Sequence, residues 1–284
     1  MAPARVVIWT FFVMLAFAGN SLLCRMALKQ SAIDPASFTS IRLTAGALAL
    51  WLIVHAGRRA EGASGNWLSS FVLFIYAAAL SFAYGGLSAA TGALILFGAV
   101  QITMIGYGVY RGERFQKKQF VGLILALGGL IGLMLPGIAA PPLNSSLLMF
   151  CSGAAWGVYS LRGAGGGSPT QVTAGNFLRA VPMSMLMSLL LLQYFSWDYL
   201  GVLCAVTSGA LTSAVGYAIW YAVLPELSAS QAATVQLSAP VITAIGGVIL
   251  LAEPLSLHLV VSSVTILGGI VLVITGRKKN ANER

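Results

Sequence analysis

Four amide side chains stand inside long apolar runs of this chain: Asn20, Gln101, Asn176 and Gln236. Leaving such a group unpaired in hydrocarbon is costly, so each needs a partner. That partner is either a polar solute or another helix, where an amide contributes about 1 kcal/mol. Both readings stand for Asn20, Gln101 and Gln236, while helix bonding is preferred for Asn176. Aromatic residues form a second set. Tyr217, Trp220 and Tyr221 fall at i, i+3 and i+4, on one helical face. Trp156 and Tyr159 share another face, and Tyr76 and Tyr84 mark a third segment. A buried Tyr or Trp has an apolar body and a polar tip, which suits a cavity for flat amphipathic solutes. The competing explanation is an aromatic belt at the membrane surface. Trp67, Trp197 and Tyr199 fit a belt; Tyr76, Trp156, Tyr217 and Trp220 lie deeper.

Arg42 and Arg179 are the sharper anomaly, because a charge inside a span implies function by default. They could attract an anionic group at opposite mouths of a cavity. Snorkelling to nearby headgroups explains the same placement and is the preferred reading. Acidic residues are few: Asp34, Glu61, Glu113, Asp198, Glu226, Glu253 and Glu283, all in expected loops, ends or tails. A proton-coupled carrier wants a carboxylate or His within its bundle, and none is evident. There is no Gly-x-x-x-x-Gly-Lys-[Ser/Thr] phosphate loop. His55 and His258 are single, without the ligand spacing of a metal site, and Cys24, Cys151 and Cys204 read as packing residues. The residues predict no cofactor, no metal and no enzymatic nucleophile with its base.

The elements that must carry these groups follow from composition. The chain is 58% hydrophobic and 8% charged, with mean hydropathy +0.89, where a soluble domain carries roughly a quarter charged residues. This predicts an all-α membrane protein, since its continuously apolar runs lack the period-two alternation of a membrane β-barrel. At about 20 residues per span, ten transmembrane helices are expected. The first five cover Val6 to Leu28, Ala36 to Ala56, Trp67 to Gly86, Ser88 to Tyr110 and Gln119 to Leu135. The second five cover Ser146 to Leu161, Thr170 to Tyr194, Tyr199 to Leu224, Ser228 to Leu251 and Leu257 to Thr275. The first run is too long for a cleaved signal peptide and is expected to be retained. Arg5, Arg58, Arg59, Arg111, Arg114, Lys117, Lys118, Arg162, Arg277, Lys278, Lys279 and Arg284 all fall on one side, and only Arg25 and Lys29 on the other. The positive-inside rule then puts both termini in the cytoplasm of a multi-pass inner (plasma) membrane protein. The formal charge of +9 needs no nucleic acid to explain it.

The chain also repeats itself. "LSAATGALILFGAV" at 87–100 and "LSASQAATVQLSAP" at 227–240 share an opening, and at the same offset Glu113 meets Glu253 and Gly128-Gly129 meets Gly268-Gly269. At a slightly smaller offset Arg25 meets Arg162 and Arg42 meets Arg179. The expected division is residues 1–136 and 146–284, joined by a Pro-rich connector at 137–145. Five spans per half force the halves into opposite orientations, an inverted repeat around a central cavity. Gly128 and Gly132, echoed by Gly268-Gly269, allow close helix approach, buttressing each half or forming a dimer contact. Pro182 and Pro240 permit kinks, and Pro240 is the candidate hinge.

The block Gly216 to Val273, with Leu-Ser-Ala at 227–229, Gln231-Ala-Ala, Pro240, Glu253-Pro254 and Gly268-Gly269, resembles the last three helices of the EamA-type family of drug/metabolite transporters. The first half is similar more loosely, keeping Glu113 without the Pro. Within that superfamily the chain is most similar to YddG-type aromatic amino-acid exporters. The resemblance implies export of amino acids, aromatic ones first, or of similar amphipathic metabolites by alternating access. The partners are a small-molecule substrate and the lipid bilayer, in a monomer or weak homodimer. Small multidrug exporters of this superfamily depend on a Glu in helix one, where this chain has Asn20, so facilitated export is expected ahead of export of another metabolite or drug driven by an ion gradient. A membrane scaffold or receptor would not need a polar, aromatic cavity built by both halves, and the missing charged cluster argues against a membrane-embedded enzyme.

Overall fold

The computed structural model describes residues 3–56, 64–110, 116–134, 141–163, 168–223, 226, 235–236 and 238–275, and every regular element among them is helical. Helices α1 (Pro3–Gln30), α2 (Pro35–Ala56), α3 (Trp67–Tyr84), α4 (Ala89–Tyr110) and α5 (Lys117–Met134) precede α6 (Leu143–Gly163) and α7 (Pro169–Leu190). After a 3-10 turn at Leu192–Tyr194, α8 (Tyr199–Thr207), a π-helical stretch (Ser208–Val215) and α9 (Gly216–Val223) run end to end. Helices α10 (Ser238–Leu251) and α11 (Leu257–Thr275) complete the described chain. Among the described residues, five stretches are long and apolar enough to cross a membrane: Arg5–Gln30, Pro35–Ala56, Trp67–Tyr84, Ala89–Gly108 and Tyr199–Val223.

Boundaries depart from expectation where local chemistry intervenes. Helix α6 starts inside the expected connector, directly after Pro141 and Pro142, because Pro lacks only an N–H that a first turn does not use. The seventh segment stops being α-helical at Leu190. Polar residues set the ends: Asn66 Oδ1 caps α3 by accepting from Ser69 N (2.9 Å), and Asp198 Oδ1 caps α8 by accepting from Gly201 N (3.0 Å). Asp34 Oδ1 accepts from the amides of Ala36 and Ser37, and its Oδ2 accepts from Ser196 N, tying the α1–α2 connection to the segment before α8. These carboxylates are helix caps. The repeat residues Leu227 to Gln231, Glu113 and the cations at 58, 59, 111, 114, 277–279 and 284 lie outside the described residues.

Packing pairs the helices in a regular way. Helix α2 lies along α7, and α5 along α11. Helices α3 and α4 both lie along α6, while α1 lies along the α8–π–α9 run and α10. Glycine sets the closest approaches. A Cβ at Gly153 would sit 2.3 Å from the Leu96 carbonyl oxygen, and one at Gly269 2.5 Å from Ala126 N. In α5 it is Gly129, not the expected Gly128 and Gly132, that meets α11. Gly128, Gly132 and Gly268 face open space, so α5 and α11 contact each other rather than each bracing its own half. Trp67, Trp197 and Tyr199 stand exposed at helix ends.

Candidate functional site

Where α1, α2, α3 and α9 converge, the phenol oxygen of Tyr76 accepts three hydrogen bonds. Asn20 Nδ2 donates at 3.2 Å, Arg42 Nη2 at 3.3 Å and the Tyr217 hydroxyl at 3.4 Å. Arg42 Nε donates to Ser213 Oγ at 3.3 Å, and its carbon Cζ sits 5.3 Å from the Tyr76 ring centroid, a cation–π distance. Asn20 Oδ1 accepts from Ser208 Oγ at 2.7 Å and from Thr212 Oγ1 at 3.4 Å. Arg42 is 1% exposed. Its guanidinium therefore turns inward and does not snorkel, which corrects the preferred expectation. Snorkelling suits a charge whose stem lies along apolar surface within reach of water; here two inward polar partners, Tyr76 and Ser213, hold the head.

The π-helical stretch explains how one helix serves this network. Wider i→i+5 turns recur at functional sites, and here they place Ser208, Thr212 and Ser213 toward α1 and α2. Gly209 lies so close to α2 that a Cβ would meet the Arg42 carbonyl oxygen at 2.1 Å. Sequence reasoning missed these hydroxyls. The available signal was the polar run "TSGALTS" at 207–213 inside an apolar span.

Aromatic rings close over the network. Trp156 is the centre, with ring centroids 4.8 Å from Tyr217, 5.0 Å from Tyr76, 5.8 Å from Tyr159 and 5.9 Å from Phe17. Phe17 also meets Trp220 at 5.8 Å, and Phe177 meets Tyr217 at 5.9 Å. Phe17 and Phe177 were not singled out, because a Phe in an apolar run carries no polar signal. The space enclosed by Phe17, Asn20, Tyr76, Trp156, Tyr217 and their neighbours is about 10 Å³, close to the minimum for one water and far below the several hundred Å³ of a ligand pocket. The site is closed around itself in this conformation. A much larger hollow, about 460 Å³, lies elsewhere among the described residues, between α4, α10 and α11. Its walls are almost wholly apolar, so it offers a polar solute little to bind.

Several expected site residues lie outside the cluster. Tyr84 packs at the end of α3 against Gly92 of α4. Tyr221 is buried but reaches the end of α6 at Gly163, so the i+4 position leaves the group that Tyr217 and Trp220 form. Gln101 is buried in α4 with Nε2 unpartnered among the described residues. Gln236 is buried just before α10. Asn176 joins α7 to α3 and α6: its Nδ2 donates to the Tyr159 hydroxyl at 3.3 Å, and its Oδ1 accepts from Asn66 N at 3.0 Å. This is the helix-bonding role preferred for it. Arg179 stands midway along α7, half-buried, donating to the carbonyls of Ser64, before α3, and of Gly175. It is no geometric counterpart of Arg42. Pro240 is buried near the start of the described part of α10, and Val235 and Gln236 before it are also helical.

An ion pair seals one end. Arg25 Nε lies 2.7 Å from Glu253 Oε1, with the two side chains 11% and 14% exposed. Arg25 Nη1 donates to the Tyr84 carbonyl at 2.8 Å, and Glu253 Oε2 accepts from Ala89 N at 2.7 Å. The pair thereby joins the ends of α1, α3 and α4 to the α10–α11 connection. Ala252, just before Glu253, has φ of 50°, a conformation that costs a non-glycine residue roughly 1 kcal/mol. Ala252→Gly is expected to raise the melting temperature of the detergent-purified protein, and Ala252→Val to lower it; equal melting of all three would remove the strain.

The model of the EamA-like transporter family matches this chain over residues 4–135 and again over 143–275. An uncharacterized protein of Pseudomonas aeruginosa, PA1977, is 51% identical over 278 residues, covering 98% of this chain and 97% of that protein. The uncharacterized transporter YoaV of Bacillus subtilis is 23% identical, covering 84% and 87%, and an uncharacterized transporter of Archaeoglobus fulgidus is 24% identical, covering 86% and 90%. A protein of known crystal structure superposes with TM-score 0.67 at 18% identity, covering 96% of this chain and 98% of its own, and so shares the fold.

Proposed function

Because the chain belongs to the EamA-like transporter family, a family of membrane transporters, we propose that it exports aromatic amino acids or similar amphipathic metabolites across the bacterial inner membrane. The observation that carries this reading is the aromatic group around Trp156 set directly on the Asn20–Tyr76–Arg42 network. Flat apolar walls and a few oriented polar groups are what an amphipathic ring compound needs.

The mechanism proposed is alternating access by two inverted five-helix repeats, residues 1–136 and 146–284, with both termini cytoplasmic. Two separate family matches support it, as do contacts that come in exchanged pairs: α3 on α6 beside α1 on α8, α4 on α6 beside α1 on α10. The closed central space requires that helices separate for cargo to enter. The cluster contains no carboxylate among the described residues, which favours facilitated movement over proton exchange.

Uptake of radiolabelled tryptophan, phenylalanine and alanine into proteoliposomes, with and without a pH gradient, tests this. Saturable entry of the aromatic pair without a gradient is expected, reduced roughly tenfold in Trp156→Ala, where a ring stack is lost. No entry beyond protein-free vesicles removes the aromatic amino-acid assignment. Entry only under a gradient replaces the facilitative mechanism with ion coupling.

A further inference from the structure

Resting on the transport reading above, we propose that Arg42 receives a carboxylate of the cargo, so that the central site selects organic acids and rejects the matching amines. Donors outnumber acceptors at this point of the molecule. A phenol oxygen has two lone pairs, yet Asn20, Arg42 and Tyr217 all donate to that of Tyr76, at 3.2–3.4 Å. Ordinary N–H···O and O–H···O bonds are shorter, near 2.9 and 2.8 Å. One neutral oxygen is shared among three donors, none well satisfied.

Arg42 carries the argument further. Its Nη1 has no hydrogen-bond partner among the described residues although the side chain is wholly buried. The guanidinium has no salt bridge among the described residues either; the ion pair formed by Arg25 and Glu253 lies at the bundle end. A buried cation without a counter-charge is costly unless something supplies one. A carboxylate has two oxygens with about four acceptor sites and matches the fork of an arginine in a bidentate pair. Placed here, it takes Nη1 and Nη2, relieves the crowding on Tyr76, and leaves its attached ring to the walls made by Trp156, Tyr217 and Phe17. Helices that part to admit cargo bring these donors to it.

Thermal stabilisation of the detergent-purified protein by added ligand reads binding without transport. The probes are tryptophan, indole-3-propionate and tryptamine, which share the ring but differ in acid and amine, with leucine and isovalerate as non-aromatic acids. Both indole acids are expected to bind at least tenfold tighter than tryptamine. Arg42→Lys, which keeps charge but loses the fork, should reduce that preference, and Arg42→Gln abolish it. If tryptamine binds as tightly as tryptophan, the carboxylate role is overturned while the aromatic reading stands. If leucine and isovalerate bind with the indole acids, and the ring adds nothing, the carboxylate role stands and the aromatic reading fails. If no acid stabilises the wild-type protein, the proposal is overturned even where the arginine variants do not fold.

Discussion

Gly209→Val leaves little folded protein to purify, whereas Gly128→Val purifies and melts like its parent. Both changes put the same β-branched residue into a helix, with the same local preference against it. Only the surroundings differ. A Cβ at 209 would lie 2.1 Å from the Arg42 carbonyl oxygen, 2.9 Å from its carbonyl carbon and 3.1 Å from Ala45 Cβ. Backbone cannot rotate out of the way as a side chain can. Overpacking of a dense interior costs about 1–3 kcal/mol, and more where backbone must move, against a total stability of roughly 5–15 kcal/mol. At Gly128 nothing lies within 4 Å. Size-exclusion profiles and melting temperatures in detergent check the pair, with Gly209→Ala falling between. A monodisperse Gly209→Val with parental melting would show that α2 and the π-helical stretch do not meet as described.

Glu253→Gln opens the sealed end of the bundle, and Cys24 reports it. The glutamine keeps an oxygen for Ala89 N but no charge for Arg25, which is left partly buried and without its counter-ion. Removing one member of a buried pair costs about 3–5 kcal/mol; with both side chains slightly exposed, about 2 kcal/mol is reasonable, a shift of about 30-fold toward open forms. Cys24 is one residue from Arg25 and fully buried. With Cys151 and Cys204 replaced by Ala, a water-soluble maleimide should label Cys24 slowly in the parent and about 30-fold faster in Glu253→Gln. An unchanged rate would falsify the pair as a closure of that end.

The two sites were legible to different degrees for physical reasons. Asn20, Tyr76, Trp156, Tyr217 and Trp220 stand out in sequence because a polar tip in an apolar run is expensive and therefore informative. Phe17 and Phe177 are as close to the centre, but their chemistry does not differ from lipid-facing Phe71. Tyr221 shows the limit of helical spacing. Position i+4 shares a face with Tyr217, but the neighbour it meets is Gly163 at the end of α6. Asn176, equally polar and equally buried, is expected to bond helices, and tertiary structure supplies its partners, Tyr159 and Asn66.

Sequence by itself determined that this chain is helical and lies in a membrane, where most of its described helices begin and end to within a few residues, and which transporter family it resembles. Those properties follow from hydrophobicity, length and local capping, which act along the chain. Tertiary structure alone decided that Arg42 turns inward while Arg179 bonds to nearby carbonyls, that Gly129 rather than Gly128 meets α11, and that Arg25 finds Glu253 from the far end of the chain. Each depends on which faces of distant helices come together. A periodicity of 3.6 residues orders side chains around one helix, but the partner that each face meets is set by packing between helices.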